Sequence, residues 1–164
     1  MLDLIDWVGR VSTVIVIVSV ILGFYAWGKG IFPALWRLGN GLSKRKIALL
    51  AKGDNLKSLK SLLVDSKLFN ERNIFEISSA NDLGRAEQAT LFLVYWHDWP
   101  NELDEILRVA KNTTALVVYA PQELGFIPQD KMKALNSKRN VMVSNFRGRL
   151  LNDIVTSLMT TSYQ

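Results

Sequence analysis

The sequence predicts an α/β protein in which an N-terminal membrane-crossing helix precedes a five-stranded, three-layer domain with a parallel sheet. Three observations carry this. Eighteen uncharged residues separate Arg10 from Lys29. After residue 46, five short apolar runs alternate with stretches of helical periodicity. The chain has 164 residues, 49 % apolar and 21 % charged, which suffices for one core with an appendage and excludes intrinsic disorder. Cysteine is absent and His97 is the only histidine, so disulfide frameworks, thiolate metal sites and cysteine nucleophiles are excluded. Neither a metal nor a cofactor is expected.

The first element is the uncharged run, which begins Val11-Ser-Thr-Val-Ile-Val-Ile-Val-Ser-Val-Ile-Leu22. As a helix it covers roughly 27 Å, close to the hydrocarbon thickness of a bilayer. Valine and isoleucine favour strands in water, but lipid demands a helix that closes its own hydrogen bonds. Trp7 and Trp27 stand one bilayer thickness apart, as interfacial anchors do. A cleaved signal peptide fits less well, since Asp3 and Asp6 precede Arg10 and the apolar run is long. Ser12, Ser19 and Ala26 recur every seven residues, and Ser19 pairs with Gly23, a small-residue face suited to helix self-association.

Charge orients this segment. Of the net +5, residues 1–46 hold +4, from Arg10, Lys29, Arg37, Lys44, Arg45 and Lys46 against Asp3 and Asp6. The excess lies beside the apolar run, so it points to membrane placement, and nucleic acid is not an expected partner. The positive-inside rule puts the N-terminus outside and the rest in the cytoplasm, on an inner (plasma) membrane. The sequon Asn112-Thr113-Thr114 is then irrelevant. Residues 1–28 are read as the membrane segment and 29–45 as a basic, amphipathic juxtamembrane linker. Its glycines and Pro33 also suit a kinked connector. Residues 46–164 are the domain.

Within the domain, Ile47–Ala51 is the first strand, and Leu56, Leu59, Leu62 and Leu63 mark one face of the helix that follows. Residues 73–77 form a second strand, and a short helix covers Asp82–Gln88. Thr90–Tyr95 is a third strand with both faces apolar. Pro100-Asn-Glu102 opens a helix whose Leu103, Ile106, Leu107 and Ala110 face inward. Ala115–Tyr119 is the fourth strand, Pro128 starts a helix through Asn136, and Asn140–Ser144 is the fifth strand. A final helix from about Gly148 to Thr161 carries the stripe Leu150, Leu151, Ile154, Val155, Leu158 and Met159.

Five strands alternating with five helices, joined by right-handed crossovers, predict the order 2-1-3-4-5. Over residues 46–164 this arrangement resembles flavodoxin-like, Rossmann-like folds, including bacterial receiver domains and TIR domains. The receiver likeness implies an acidic pair after strand one, an aspartate ending strand three and a lysine after strand five. Asp54 and Asp98 are the residues that fit, and Ser144-Asn145-Phe146 stands where the lysine belongs. The TIR likeness implies a catalytic glutamate on the helix after strand three, here Glu102 or Glu105, with Trp96 or Trp99 stacking on a flat ring. The aromatic-serine-tryptophan pattern that usually precedes that glutamate is absent, and helix dipoles alone place acids at helix starts. No GxGxxG or P-loop sequence is present.

Open α/β sheets bind ligands outside the carboxyl ends of their strands. The loops there gather the candidate ligand-binding residues Lys52, Gly53, Asp54, Trp96, His97, Asp98, Asn145, Arg147 and Arg149. Arg147-Gly148-Arg149 at a helix start is an anion-binding arrangement, and the aromatic rings suit a nucleotide base. The alternative is structural, with Arg147 and Arg149 paired to Asp54, Asp98 or Asp153. One helix joined to a nucleotide-fold domain is also similar to membrane effectors of bacterial anti-phage systems. That likeness implies a sensor or effector in which a nucleotide-type ligand or a protein partner, bound at the strand ends, changes association of the membrane helices. Two alternatives stand beside it: a non-catalytic subunit docking a larger complex, and a membrane-tethered nucleotide or NAD hydrolase using Glu102 or Glu105.

Overall fold

The computed structural model describes residues 2–161, and the chain divides into two compact units, residues 1–40 and 41–164. Helix α1 runs from Leu2 to Ser43 without a break. The residues of the expected linker are helical as far as Ser43, Pro33 included. Proline removes one amide donor from the ladder, and the flanking turns keep the remainder. The stretch Trp7–Gly30 is long and apolar enough to cross a membrane, at roughly 36 Å, and none of its side chains is buried. The Thr13 hydroxyl donates to the Gly9 carbonyl at 2.9 Å, and Lys29 Nζ lies 4.8 Å from the centre of the Tyr25 ring.

In the second unit, strands β1 (Ile47–Leu50), β2 (Ile74–Ile77), β3 (Leu91–Tyr95), β4 (Ala115–Tyr119) and β5 (Val141–Ser144) form one sheet in the order β2-β1-β3-β4-β5. All four pairings are parallel, with Ile47 opposite both Ile74 and Leu91, Leu91 opposite Ala115, and Leu116 opposite Val141. Order and direction are those predicted from the sequence. The side-chain alternation of a strand then builds two cores. Ala48, Leu50, Phe92, Val94, Leu116 and Val118 fill one, under α3 (Leu103–Val109) and α4 (Gln129–Ser137). Ile47, Leu49, Leu91, Leu93, Ala115 and Val117 fill the other, under α2 (Gly53–Asp65) and α5 (Arg147–Thr160).

The short helix expected over Asp82–Gln88 is present as a 3-10 helix, Ala80–Gln88, so four α-helices and this segment cover the sheet. Its buried residues are Leu83 and Ala86, three apart, which is the repeat of a 3-10 turn. Gly84 between them weakens any α preference.

Because all strands run the same way, the sheet has a strand-start edge and a strand-end edge. At the start edge the Ser43 carbonyl accepts from Asn73 Nδ2 at 2.9 Å, and the Lys46 carbonyl accepts from the Thr90 and Leu91 amides. Asn140 Nδ2 donates to the Asn112 carbonyl at 2.7 Å. This edge is therefore stitched by side-chain amides where the ladders begin.

Both faces of β3 are covered, so truncation on either side leaves a cavity. Phe92→Ala and Leu93→Ala are each expected to lower stability by about 3 kcal/mol in urea unfolding. A loss under about 1 kcal/mol for either one would contradict the three-layer packing.

Candidate functional site

The topological switch point lies between β1 and β3, where the strand order reverses. The β1–α2 turn contains Gly53 at φ +55°, a conformation that costs a side-chain-bearing residue energy. The turn presents the Lys52 amide to Asp98, which follows β3, and the amide donates to Asp98 Oδ2 at 2.7 Å. Asn55 Nδ2 donates to both oxygens of the same carboxylate at 3.2 and 3.3 Å. A fixed negative charge thus lies at the start of α2, where the helix dipole favours it. Asp98 holds the position in which this kind of fold places a ligand's anionic group.

The aromatic residues around Asp98 are mostly withdrawn. Trp96 is 4 % exposed and Trp99 fully buried. Lys52 Nζ covers the Trp99 ring at 4.7 Å from its centre. His97 Nε2 donates to the Leu124 carbonyl at 2.9 Å, and among the described residues Nδ1 is buried without a hydrogen-bond partner. Trp99 Nε1 and Ser144 Oγ are likewise buried and unpartnered. The Tyr95 ring lies 6.0 Å from His97 and 5.7 Å, edge on, from Tyr119. Burial pushes the Tyr95 phenol above its usual range, helped by the Asp98 charge and by Tyr119.

The remaining sequence-derived residues are dispersed. Asp54 is exposed and pairs with Lys57 at 3.0 Å. Arg147 Nη2 donates to the Ser58 carbonyl at 2.9 Å, tying α5 to α2. Arg149 lies 3.9 Å from Asp153, a buried acid one turn along α5, so of the three aspartates weighed as partners Asp153 is the one met. Glu102 immediately precedes α3, and Glu105 in its first turn contacts Arg108 at 3.5 Å. Among the described residues no hydrogen bond or ion pair joins either glutamate to Trp96, His97 or the β5–α5 loop.

Sequence reasoning missed the surface between the β4 and β5 loops. Ala120, Gln122, Gly125, Phe126, Ile127, Met132, Val143 and Asn145 line a cleft of about 90 Å³. Asn145 is the one sequence-derived candidate on it. Beside it Leu124, Phe126 and Phe146 are 57, 79 and 56 % exposed. Gly125, at φ +102°, turns the loop so that Leu124 and Phe126 flank it on the outside. The signal was Leu124-Gly-Phe126-Ile between Pro121 and Pro128, of which Ile127 enters the core while Leu124, closing a short 3-10 turn, and Phe126 stay exposed. Acidic Glu123 and Asp130 lie on the same segment, both exposed.

No protein family, curated protein or solved structure matches this chain.

Two outcomes are expected. Asp98→Ala leaves the Lys52 amide and Asn55 without their acceptor and should cost about 2–3 kcal/mol in chemical denaturation, with Asp98→Asn losing less. Retained stability in Asp98→Ala would mean that the carboxylate does not hold the turn. The raised Tyr95 pKa gives stability that is complete below about pH 10 and lost as pH rises through the folded-state value. In alkaline unfolding curves Tyr95→Phe should therefore flatten that decline, and an unchanged slope would contradict the shift.

Proposed function

We propose that this chain is a single-pass membrane protein with its N-terminus outside and its α/β domain in the cytoplasm. The domain acts as a non-catalytic recognition module whose β4–β5 strand-end surface receives a protein partner. Partner binding is coupled to association of membrane helices through the face bearing Ser12, Ser19, Gly23 and Ala26, which makes the protein a sensor or effector in signalling.

The observation that carries this reading is the exposure of Leu124, Phe126 and Phe146 around an apolar cleft at the edge where such sheets bind. Large apolar side chains are costly to leave in water, and three around one hollow form a contact patch. Orientation rests on the basic excess C-terminal to the apolar helix.

Magnitude favours a protein over a nucleotide-type ligand. Sites for drug-sized molecules run from about 300 Å³ upward, whereas this cleft of about 90 Å³ accommodates a single side chain. Trp96 and Trp99, the rings suited to a base, are buried, and the switch-point amide is occupied by Asp98. The resemblance to membrane effectors of anti-phage systems bears on the coupling of a cytoplasmic contact to membrane helices, and the proposal adopts that coupling, with bacterial defence as its setting.

Phe126→Asp lies on the surface and should change stability by less than about 0.5 kcal/mol. In membranes carrying a photo-crosslinking phenylalanine at position 146, the unsubstituted loop should give one discrete adduct that Phe126→Asp removes. An adduct that survives the substitution, or none at 146, would contradict a docking surface here. Calorimetric nucleotide binding that Arg149→Ala abolishes would replace the protein partner with a small ligand.

A further inference from the structure

The strand-start edge of the domain carries a second surface, of different chemistry. Its loops hold the basic run 44–46 before β1, Lys67 and Arg72 before β2, Lys111 before β4, and Lys138 and Arg139 before β5. Glu71 is the single acid among them, and it is engaged by Lys60 at 2.8 Å. The strand-end loops are mixed, with Lys52, Arg147 and Arg149 against Asp54, Asp98, Glu102 and Glu123. Residues 47–164 are close to neutral overall, so the strand-start loops hold a local basic excess.

Helix C-termini attract cations, which accounts for one basic residue after each helix. It does not account for three in succession at 44–46 or for the adjacent pair Lys138-Arg139. Lys67, Arg72, Lys111 and Arg139 are all exposed, and none forms an ion pair among the described residues. Hydrogen bonds tie several of the loops that hold them. Asn140 Nδ2 ties its loop to the Asn112 carbonyl, Lys138 Nζ donates to the Leu107 carbonyl at 2.9 Å, and Asn73 ties the β2 loop to Ser43. The belt therefore presents its charges without an ordering cost for its backbone.

We infer that this edge is a docking surface for anionic lipid headgroups, which it meets across several loops at once. The inference rests on the reading of Trp7–Gly30 as a bilayer span. The run 44–46 begins fourteen residues after that span ends, so the chain delivers this edge of the sheet first. An array of cations held within a Debye length of an anionic leaflet is attracted additively, and salt weakens the attraction. The strand-end surface, on the opposite edge of the sheet, then stays open to a partner from solution.

The absence of cysteine permits a clean test with the full chain in vesicles. A fluorophore is placed at Thr113→Cys, an exposed position beside Lys111, or at Gln122→Cys on the strand-end edge, and a headgroup-nitroxide lipid serves as quencher. Replacing about 30 % of zwitterionic phosphatidylcholine by phosphatidylglycerol should raise quenching at position 113 by at least about twofold and leave 122 unchanged. About 0.5 M salt, or the pair Lys111→Gln and Arg139→Gln, should cancel the rise. Equal responses at 113 and 122, or none at 113 in chains that resist carbonate extraction, would overturn the inference. Extraction by carbonate would instead overturn the membrane reading beneath it. Loss of the 113 response to RNA at about a tenth of the lipid phosphate concentration would overturn it in favour of a nucleic-acid surface.

Discussion

Parallel strand direction is the constraint on which the rest of the structure depends. Five parallel strands bring every helix-to-strand loop to one edge and every strand-to-helix loop to the other. Crossovers must then cover both faces, which is why β3 and β4 are apolar on every residue and buried throughout. The same sorting separates chemistry. Asn73, Asn140 and a local basic excess lie where strands begin, while the Asp98 tie, the buried aromatic residues and the apolar cleft lie where they end.

At the strand ends the molecule supplies its own anion. Asp98 joins the two halves of the sheet across the switch point by accepting from Lys52 and Asn55. A carboxylate at a helix start satisfies donors that would otherwise seek water or a ligand. The vacant contact area is thereby displaced toward β4 and β5, where Gly125 shapes a loop with exposed Leu124 and Phe126. The exposed apolar cleft thus lies away from the switch point, beside β4 and β5.

Much of this was legible in the chain. Continuous apolar runs such as Leu91–Tyr95 and Ala115–Tyr119 can only be central strands, and their alternation with helical periodicity fixes parallel topology. The 3-10 crossover was not legible, because Leu83 and Ala86 satisfy either a three- or a four-residue repeat and Gly84 does not discriminate between them. At the candidate site, Lys52 and Asp98 share the strand-end edge by loop membership and meet there, whereas whether a loop tryptophan faces solvent depends on packing, and Trp99 is buried. Arg147 is likewise drawn to the Ser58 carbonyl of another helix, a contact 89 residues away that no local pattern encodes.

The membrane-crossing helix remains the premise that gives both edges their tasks. Its most direct test places single cysteines at Asp3 and at Gln122 in separate, otherwise cysteine-free chains and treats intact cells with an impermeant maleimide. The account predicts that position 3 is labelled from outside, while position 122 is labelled only after lysis. Labelling of both positions from the same side of the membrane would contradict it.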